Sequence, residues 1–259
     1  MEKPLILIAD DQQLNQKLFS IIMDKLGYPS IYADDGQDAL DKVKGNNVAL
    51  IFMDLQMPKM GGYEATYNLR QMGYKIPVIA VTATVQPDEA EQCRKAGIDD
   101  LLFKPVKRAD VEAMLAKWLG AQNHAEAGPV NKPAPAEKKV YANVDETFDA
   151  KTVLANFLND RETVLSILAR FIDRTQNQID NFMNLVKAGD FESARRDAHS
   201  IKGSALTMGG SDLGKAASRL ELAFINNSLK EEIDAAFSAL CETFKSFKNK
   251  AEEFMNTKV

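Results

Sequence analysis

The chain has 259 residues, enough for two domains that each bury a core. Its composition is that of ordinary globular protein, 45% hydrophobic and 27% charged. The net charge of −5 is spread evenly, with 14 basic against 17 acidic side chains in residues 1–120 and 15 against 18 in 143–259. No segment is basic enough to leave a nucleic-acid footprint. Cys93 and Cys241 are too far apart for a disulfide framework or a metal-ligand spacing, and read as small apolar core residues. The opening MEKPLILIADD reaches acidic residues after a short apolar run, unlike a signal peptide. Apolar runs such as VALIFM are too short to span a bilayer. A cytoplasmic protein is expected, with neither nucleic acid nor membrane as partner.

In chain order, residues 1–120 alternate short apolar runs with amphipathic segments. LILIA (5–9), SIYA (30–33), VALIFM (48–53), PVIAV (77–81) and DLLF (100–103) predict strands. Helical patterns fall at 13–26, 36–44, 62–72, 86–96 and 107–119. Five β/α units in alternation predict a parallel sheet with helices on both faces. The central runs are apolar throughout, as doubly covered strands are. Residues 121–144, with Pro129, Pro133, Pro135 and many alanines, predict a flexible linker in which His124 is an inert, solvated histidine.

Beyond residue 145 the strand signals stop and helices are predicted at 149–158, 160–187, 190–208, 211–226 and 230–255. Phe191, Ala194, Ala198, Ile201, Ala205 and Met208 step by three and four, a stripe expected to face the inside of a bundle. Gly189–Asp190 and Gly209–Gly210–Ser211 predict turns, with Asp190 and Ser211 as N-caps. The stretch 209–216, GGSDLGKA, has the spacing of a phosphate-binding loop. It lacks the hydroxyl after the lysine and follows a helix instead of a strand, so that reading fails.

Ligands of an open parallel sheet bind at the carboxyl ends of its strands, where strand order reverses. Asp10 and Asp11 follow the first predicted strand, Asp54 the third, Thr82 the fourth and Lys104 the fifth. Three carboxylates at one rim repel unless a cation joins them, and an all-oxygen set favours Mg²⁺. A carboxylate there can attack phosphorus and become an aspartyl phosphate, with Lys104 and Thr82 serving the phosphoryl oxygens.

The stretches ILIADDQQLNQ, LIFMDLQMPKMGGYEAT, VIAVTA and LLFKP, in this order, resemble the receiver domain of bacterial response regulators across residues 1–120. The resemblance implies a flavodoxin-like five-stranded parallel sheet. It implies Asp54 as phosphoacceptor, Asp11 as direct Mg²⁺ ligand, Asp10 as a ligand through water, and the Gln56 backbone carbonyl as a further ligand. Thr82 and Lys104 would touch the phosphoryl group, and small Ala83 would leave the acceptor accessible. Leu101 stands where the family usually has Tyr or Phe, which puts the usual aromatic readout in doubt. Gly61 replaces a common aspartate, and Gln56 and Thr84 occupy positions where the family tunes phosphate lifetime.

The second half carries RRDAHSIKGSA (195–205). On a helix His199, Lys202, Gly203 and Leu206 share one stripe beside the core-facing one. A neutral imidazole nitrogen can attack phosphorus without a strong base, and Lys202 one turn away can screen the charge that results. Gly203, costing about 1 kcal/mol inside a helix, removes a side chain where a partner must come close. AHSIKGSALTMGG followed by LGKAASRLE resembles the histidine phosphotransfer (HPt) domain, a helical bundle, over residues 145–259. It implies His199 as a second phosphoacceptor, with Lys202 and Gly203 supporting docking.

The expected organisation is a receiver domain (1–120), a linker (121–144) and an HPt four-helix bundle (145–259). The expected function is a phosphorelay step. A histidine kinase phosphorylates Asp54, and His199 passes phosphoryl groups to or from a receiver in this chain or another response regulator. No ATP-binding kinase motif lies in these residues, so His199 is charged by another protein or by Asp54. Such a protein is phosphorylated and slowly dephosphorylates itself; it is not an enzyme in the metabolic sense. The rival expectation is a switch, in which receiver phosphorylation alters HPt docking with no Asp–His exchange. A true phosphohydrolase would need a second acidic group as general acid, and Gln56 argues against one common arrangement.

Overall fold

A computed structural model describes residues 3–83, 87–120, 147–226 and 228–257, with backbone alone over 87–90. Thr84 and the segment read as linker, His124 included, lie outside the described residues. The chain divides into two compact units, Met1–Val140 and Tyr141–Val259.

The first unit alternates β1 (Leu5–Ala9), α1 (Gln13–Leu26), β2 (Ser30–Ala33), α2 (Gly36–Gly45), β3 (Val48–Asp54), α3 (Gly62–Gln71), β4 (Val78–Thr82), α4 (Pro87–Ala96), β5 (Asp100–Phe103) and α5 (Arg108–Leu119). All strands are parallel, in the order β2-β1-β3-β4-β5. This is the flavodoxin-like topology, whose switch point lies between β1 and β3. Strand period two divides the core. Leu7, Ala9, Ile51, Met53, Val78 and Ala80 pack to one face, while Ile6, Ile8, Phe52 and Ile79 are buried on the other. There the Phe19 ring of α1 meets Phe52 at 5.1 Å between centroids. Helices cover both faces, which is why the central strands are apolar throughout.

Register aligns the strand ends. Ala9 pairs with Met53, Asp54 with Val81, and Thr82 with Phe103. One residue further along, Asp10 stands level with Asp54, and Lys104 lies just beyond Thr82. The Lys104–Pro105 bond is cis.

The second unit holds α6 (Ala150–Asn156), α7 (Arg161–Ala188), α8 (Phe191–Thr207), α9 (Ser211–Ile225) and α10 (Lys230–Asn256). The four longer helices close a ring, α8 packing on α9, α9 on α10, and α7 on both α8 and α10. Phe247 of α10 meets Phe148 and Phe171 edge-on, each at 5.4 Å between centroids. Asp160 and Asp190 cap α7 and α8 by accepting from Thr163 N–H and Ser193 N–H, both at 3.1 Å.

Two sequence readings are corrected here. Ser211 does not cap α9: Gly210 holds that position, and Ser211 already lies in the first turn. A Cβ at Gly210 would come within 2.8 Å of the Phe247 ring, so backbone packs directly on α10. Phe191 does not face inward but is 52% exposed, its ring 6.1 Å from Phe224. It is the first residue of α8, and the buried stripe begins one turn later at Ala194.

Candidate functional site

The rim of the sheet gathers the polar residues that the sequence placed at strand ends. Asp10, Asp11 and Asp54 each offer a carboxylate oxygen, and these atoms all lie within 4.8 Å of one another. Asp10 and Asp54 are buried, Asp11 half-buried. Lys104, also buried, donates to Asp54 Oδ2 at 2.5 Å and to Asp10 Oδ2 at 3.3 Å. Thr82 is buried at the end of β4, and its carbonyl accepts from Lys104 N–H at 2.8 Å. Gln56 N–H donates to Asp54 Oδ1 at 3.1 Å. The loop after β3 folds tightly onto Asp54. A Cβ at Gly62 would meet the Asp54 carbonyl oxygen at 2.2 Å, so α3 can start there only with glycine.

Sequence reasoning missed the residues that hold Asp10. Asn15 Nδ2 donates to both of its oxygens, at 3.1 and 2.9 Å, and Gln12 N–H to Oδ1 at 2.8 Å. Both sit in ADDQQLNQ, but polar residues at a helix start are routine, and only the turn of α1 brings them to the carboxylate.

Electrostatics at the rim are unbalanced. Burial pushes the Asp10 carboxyl up from an ordinary 3.8 to about 7; Lys104 opposes this, while Asp54 and Asp11 reinforce it. Burial pulls Lys104 down, but Asp10 and Asp54 outweigh it and hold the ammonium above its usual range. Three clustered carboxylates with one lysine form an all-oxygen donor set able to take a divalent cation.

In the second unit His199 lies on α8 with its side chain mostly covered. Its Nδ1 is 2.7 Å from Oε1 of Glu221 on α9. Lys202 Nζ donates to Glu221 Oε2 at 3.1 Å. Lys202 and Gly203 are both buried, and Thr207 Oγ1 donates to the Gly203 carbonyl at 3.2 Å. Burial pushes the Glu221 carboxyl up, but its hydrogen bond with His199, the charge of His199 and then Lys202 outweigh this and hold it below the ordinary 4.5. Glu221 is therefore ionised at neutral pH and can only accept, so when the ring is neutral its proton sits on Nδ1 and Nε2 carries the lone pair. The sequence contained Glu221 at the end of LGKAASRLE but gave no sign that it faces a histidine 22 residues away.

Residues 6–116 match the family model of the response regulator receiver domain, and residues 166–250 that of the Hpt domain. The chain is a receiver domain joined to an Hpt domain. Both are phosphotransfer modules of phosphorelay signalling. The helical unit itself extends past the matched span at both ends, since Asn156 Nδ2 donates to the Thr207 carbonyl and Arg161 to that of Thr257.

Over 102 residues the chain is 39% identical to the sensor histidine kinase RcsC of Escherichia coli (strain K12), covering 39% of this chain and 11% of that protein. Over 232 residues the chain is 29% identical to the sensor protein EvgS of the same organism, 90% of this chain and 18% of that one. The chain thus spans only 11% to 18% of these curated relatives. Similar solved structures include the magnesium-bound receiver domain of sensor histidine kinase PA1611 from Pseudomonas aeruginosa PAO1. That match has 33% identity and a TM-score of 0.43, over 46% of this chain and 98% of that one. Another is the Saccharomyces cerevisiae complex of the histidine phosphotransfer protein Ypd1 with the Ssk1 receiver domain, at 27% identity and a TM-score of 0.45, over 48% and 94%. Among the described residues no helix is long and apolar enough to cross a membrane.

A pH prediction follows for the receiver domain. A carboxyl whose folded pKa is raised lends stability fully below its unfolded value, and that contribution is lost as pH rises through about 7. Without divalent cation, Asp10→Asn is expected to melt well above wild type at about pH 8 and close to it at about pH 4. The gap is on the order of a few kcal/mol, at about 1.4 kcal/mol per pKa unit. Calorimetric melts at the two pH values check it.

Proposed function

We propose that this protein is a phosphorelay intermediate in which Asp54 accepts a phosphoryl group from a histidine kinase and His199 carries one to or from a receiver. The observation that carries the reading is the rim cluster, a buried Asp54 with Lys104 on one oxygen and two further carboxylates alongside. Such a carboxylate is held in place and its charge is partly offset, as a phosphoacceptor needs. Asp54 attacks phosphorus; the P–O bond forms as the P–N bond of the donor phosphohistidine breaks, and the donor ring, protonated on its other nitrogen, departs as neutral imidazole. Lys104 turns from the carboxylate to a phosphoryl oxygen, and the Thr82 hydroxyl donates to another. Asp10, Asp11, Asp54 and the Gln56 backbone carbonyl would hold Mg²⁺, which when bound neutralises phosphoryl charge.

At the second acceptor the Nε2 lone pair of His199 attacks an aspartyl phosphate, breaking its P–O bond and returning a carboxylate. The ring becomes cationic, and Glu221 stabilises that charge through Nδ1–H. Lys202 is already paired with Glu221, so its help to the phosphoryl group is shared. Gly203 carries no side chain that would hold an incoming domain away. We assign residues 1–120 to the receiver, 121–144 to a linker and 145–259 to the Hpt domain, working in the cytoplasm with a kinase and a second receiver as partners. The receiver that exchanges with His199 lies in this chain or in another protein.

The test uses the full chain with labelled acetyl phosphate and Mg²⁺. Label is expected first in an alkali-labile acyl phosphate and then in an acid-labile, alkali-stable phosphohistidine. Label that enters Asp54 but never reaches His199, within the chain or from an added phosphorylated receiver, overturns the relay. It would leave instead the switch in which receiver phosphorylation controls Hpt docking.

A further inference from the structure

Among the described residues one buried side-chain polar atom has no hydrogen-bond partner, Oε1 of Gln12. The residue is only 4% exposed. Its other polar groups are all engaged at the rim. The backbone N–H donates to Asp10 Oδ1 at 2.8 Å, Nε2 donates to Asp11 Oδ2 at 2.9 Å, and the carbonyl accepts from Gln16 N–H at 3.0 Å. Gln12 occupies the N-cap of α1, yet its side chain makes no capping bond. The side chain is committed to the acidic cluster, not to the helix.

The amide cannot be turned over, because that would set Oε1 against the Asp11 carboxylate and strand the NH₂ group instead. An acceptor therefore stays within one carbon of the nitrogen that holds Asp11. A buried carbonyl without a partner is unfavourable, and persists where some group absent from the protein alone supplies the hydrogen. Carboxylates and phosphoryl oxygens have none to give. A water carried by a cation does, and Mg²⁺ keeps several of its waters when bound.

We propose that Gln12 is a positioning residue for the divalent ion. Nε2 fixes Asp11, and Oε1 receives a hydrogen bond from a water on the ion. The inference rests on the reading of Asp10, Asp11 and Asp54 as an Mg²⁺ site. Partners outside the directly bonded ligands typically contribute 10- to 100-fold in metal affinity. A water acceptor favours the ion that retains its waters, so it contributes more to Mg²⁺ than to Ca²⁺, which takes protein oxygens directly.

Calorimetric titration of the full chain with MgCl₂ and with CaCl₂ tests this. Gln12→Met, close in shape but without acceptor or donor, is expected to bind Mg²⁺ about tenfold more weakly than wild type. Ca²⁺ should weaken less, and the metal-free melting temperature should be unchanged or higher. Unchanged Mg²⁺ affinity in Gln12→Met overturns the proposal. Equal loss for both ions overturns the acceptor role and leaves Nε2 alone. A wild-type chain that binds neither ion overturns the metal-site reading itself, a result distinct from both.

Discussion

Asp54→Asn is expected to abolish labelling of the receiver domain by small phosphodonors, with incorporation down about 10³-fold or more, the scale on which loss of an attacking group registers. An amide oxygen is close in shape to the carboxylate oxygen it replaces but is a poor nucleophile, so the chemistry goes while the fit remains. The introduced amide oxygen can still accept from Lys104 or from Gln56 N–H, and Lys104 keeps Asp10 at 3.3 Å as counter-charge. Stability is therefore expected to stay near wild type. Part of the repulsion that lifts Asp10 disappears with the Asp54 charge, which offsets the lost ion pair. Labelling and a thermal melt on one preparation separate the two effects. Undiminished alkali-labile label in this variant removes Asp54 as acceptor.

The first unit was legible because every level of the sequence agreed. Strands read at 5–9, 30–33 and 100–103 are observed with those bounds, and β3 and β4 each end one residue later than read. Strand-end chemistry then followed from topology, since parallel strands deliver whatever follows them to one rim. What pattern reading could not supply was contact between elements. Glu221 is one acidic residue among many in the helical half, and only the packing of α8 on α9 sets it against His199. Gln12 and Asn15 look like helix-start residues until α1 turns them onto Asp10 and Asp11. Phe191 shows the complementary limit, because a helical stripe predicts a face but not the turn at which the bundle begins to cover it.

The two proposed acceptors face opposite problems. Asp54 is an anion that must meet another anion, and its neighbours are a buried ammonium and two further carboxylates able to take a cation. His199 must begin neutral and end charged, and its neighbour is a buried carboxylate. Each site surrounds its acceptor with the charge that its product state requires.

His199→Gln is expected to remove all acid-labile, alkali-stable label from the chain, again by about 10³-fold or more, while alkali-labile label on the receiver domain persists. The substitution is mild for folding, because the Gln amide can donate to Glu221 as Nδ1–H does. Glu221 distinguishes positioning from mere packing. Glu221→Ala breaks the buried pair with Lys202 and is expected to destabilise the Hpt bundle by about 3–5 kcal/mol. Glu221→Gln keeps the shape but frees the ring tautomer, so transfer to Nε2 should slow without large unfolding. The pH dependence has a definite sign. The Glu221 carboxyl lies below its unfolded value, so its contribution is complete above about pH 4.5 and is lost as pH falls through the folded pKa. Wild type is expected to lose Hpt stability in acid, and Glu221→Gln to lose less over the same range. Identical acid profiles for the two proteins, with phosphohistidine formed at the same rate, would show that the carboxylate neither holds nor tunes the histidine.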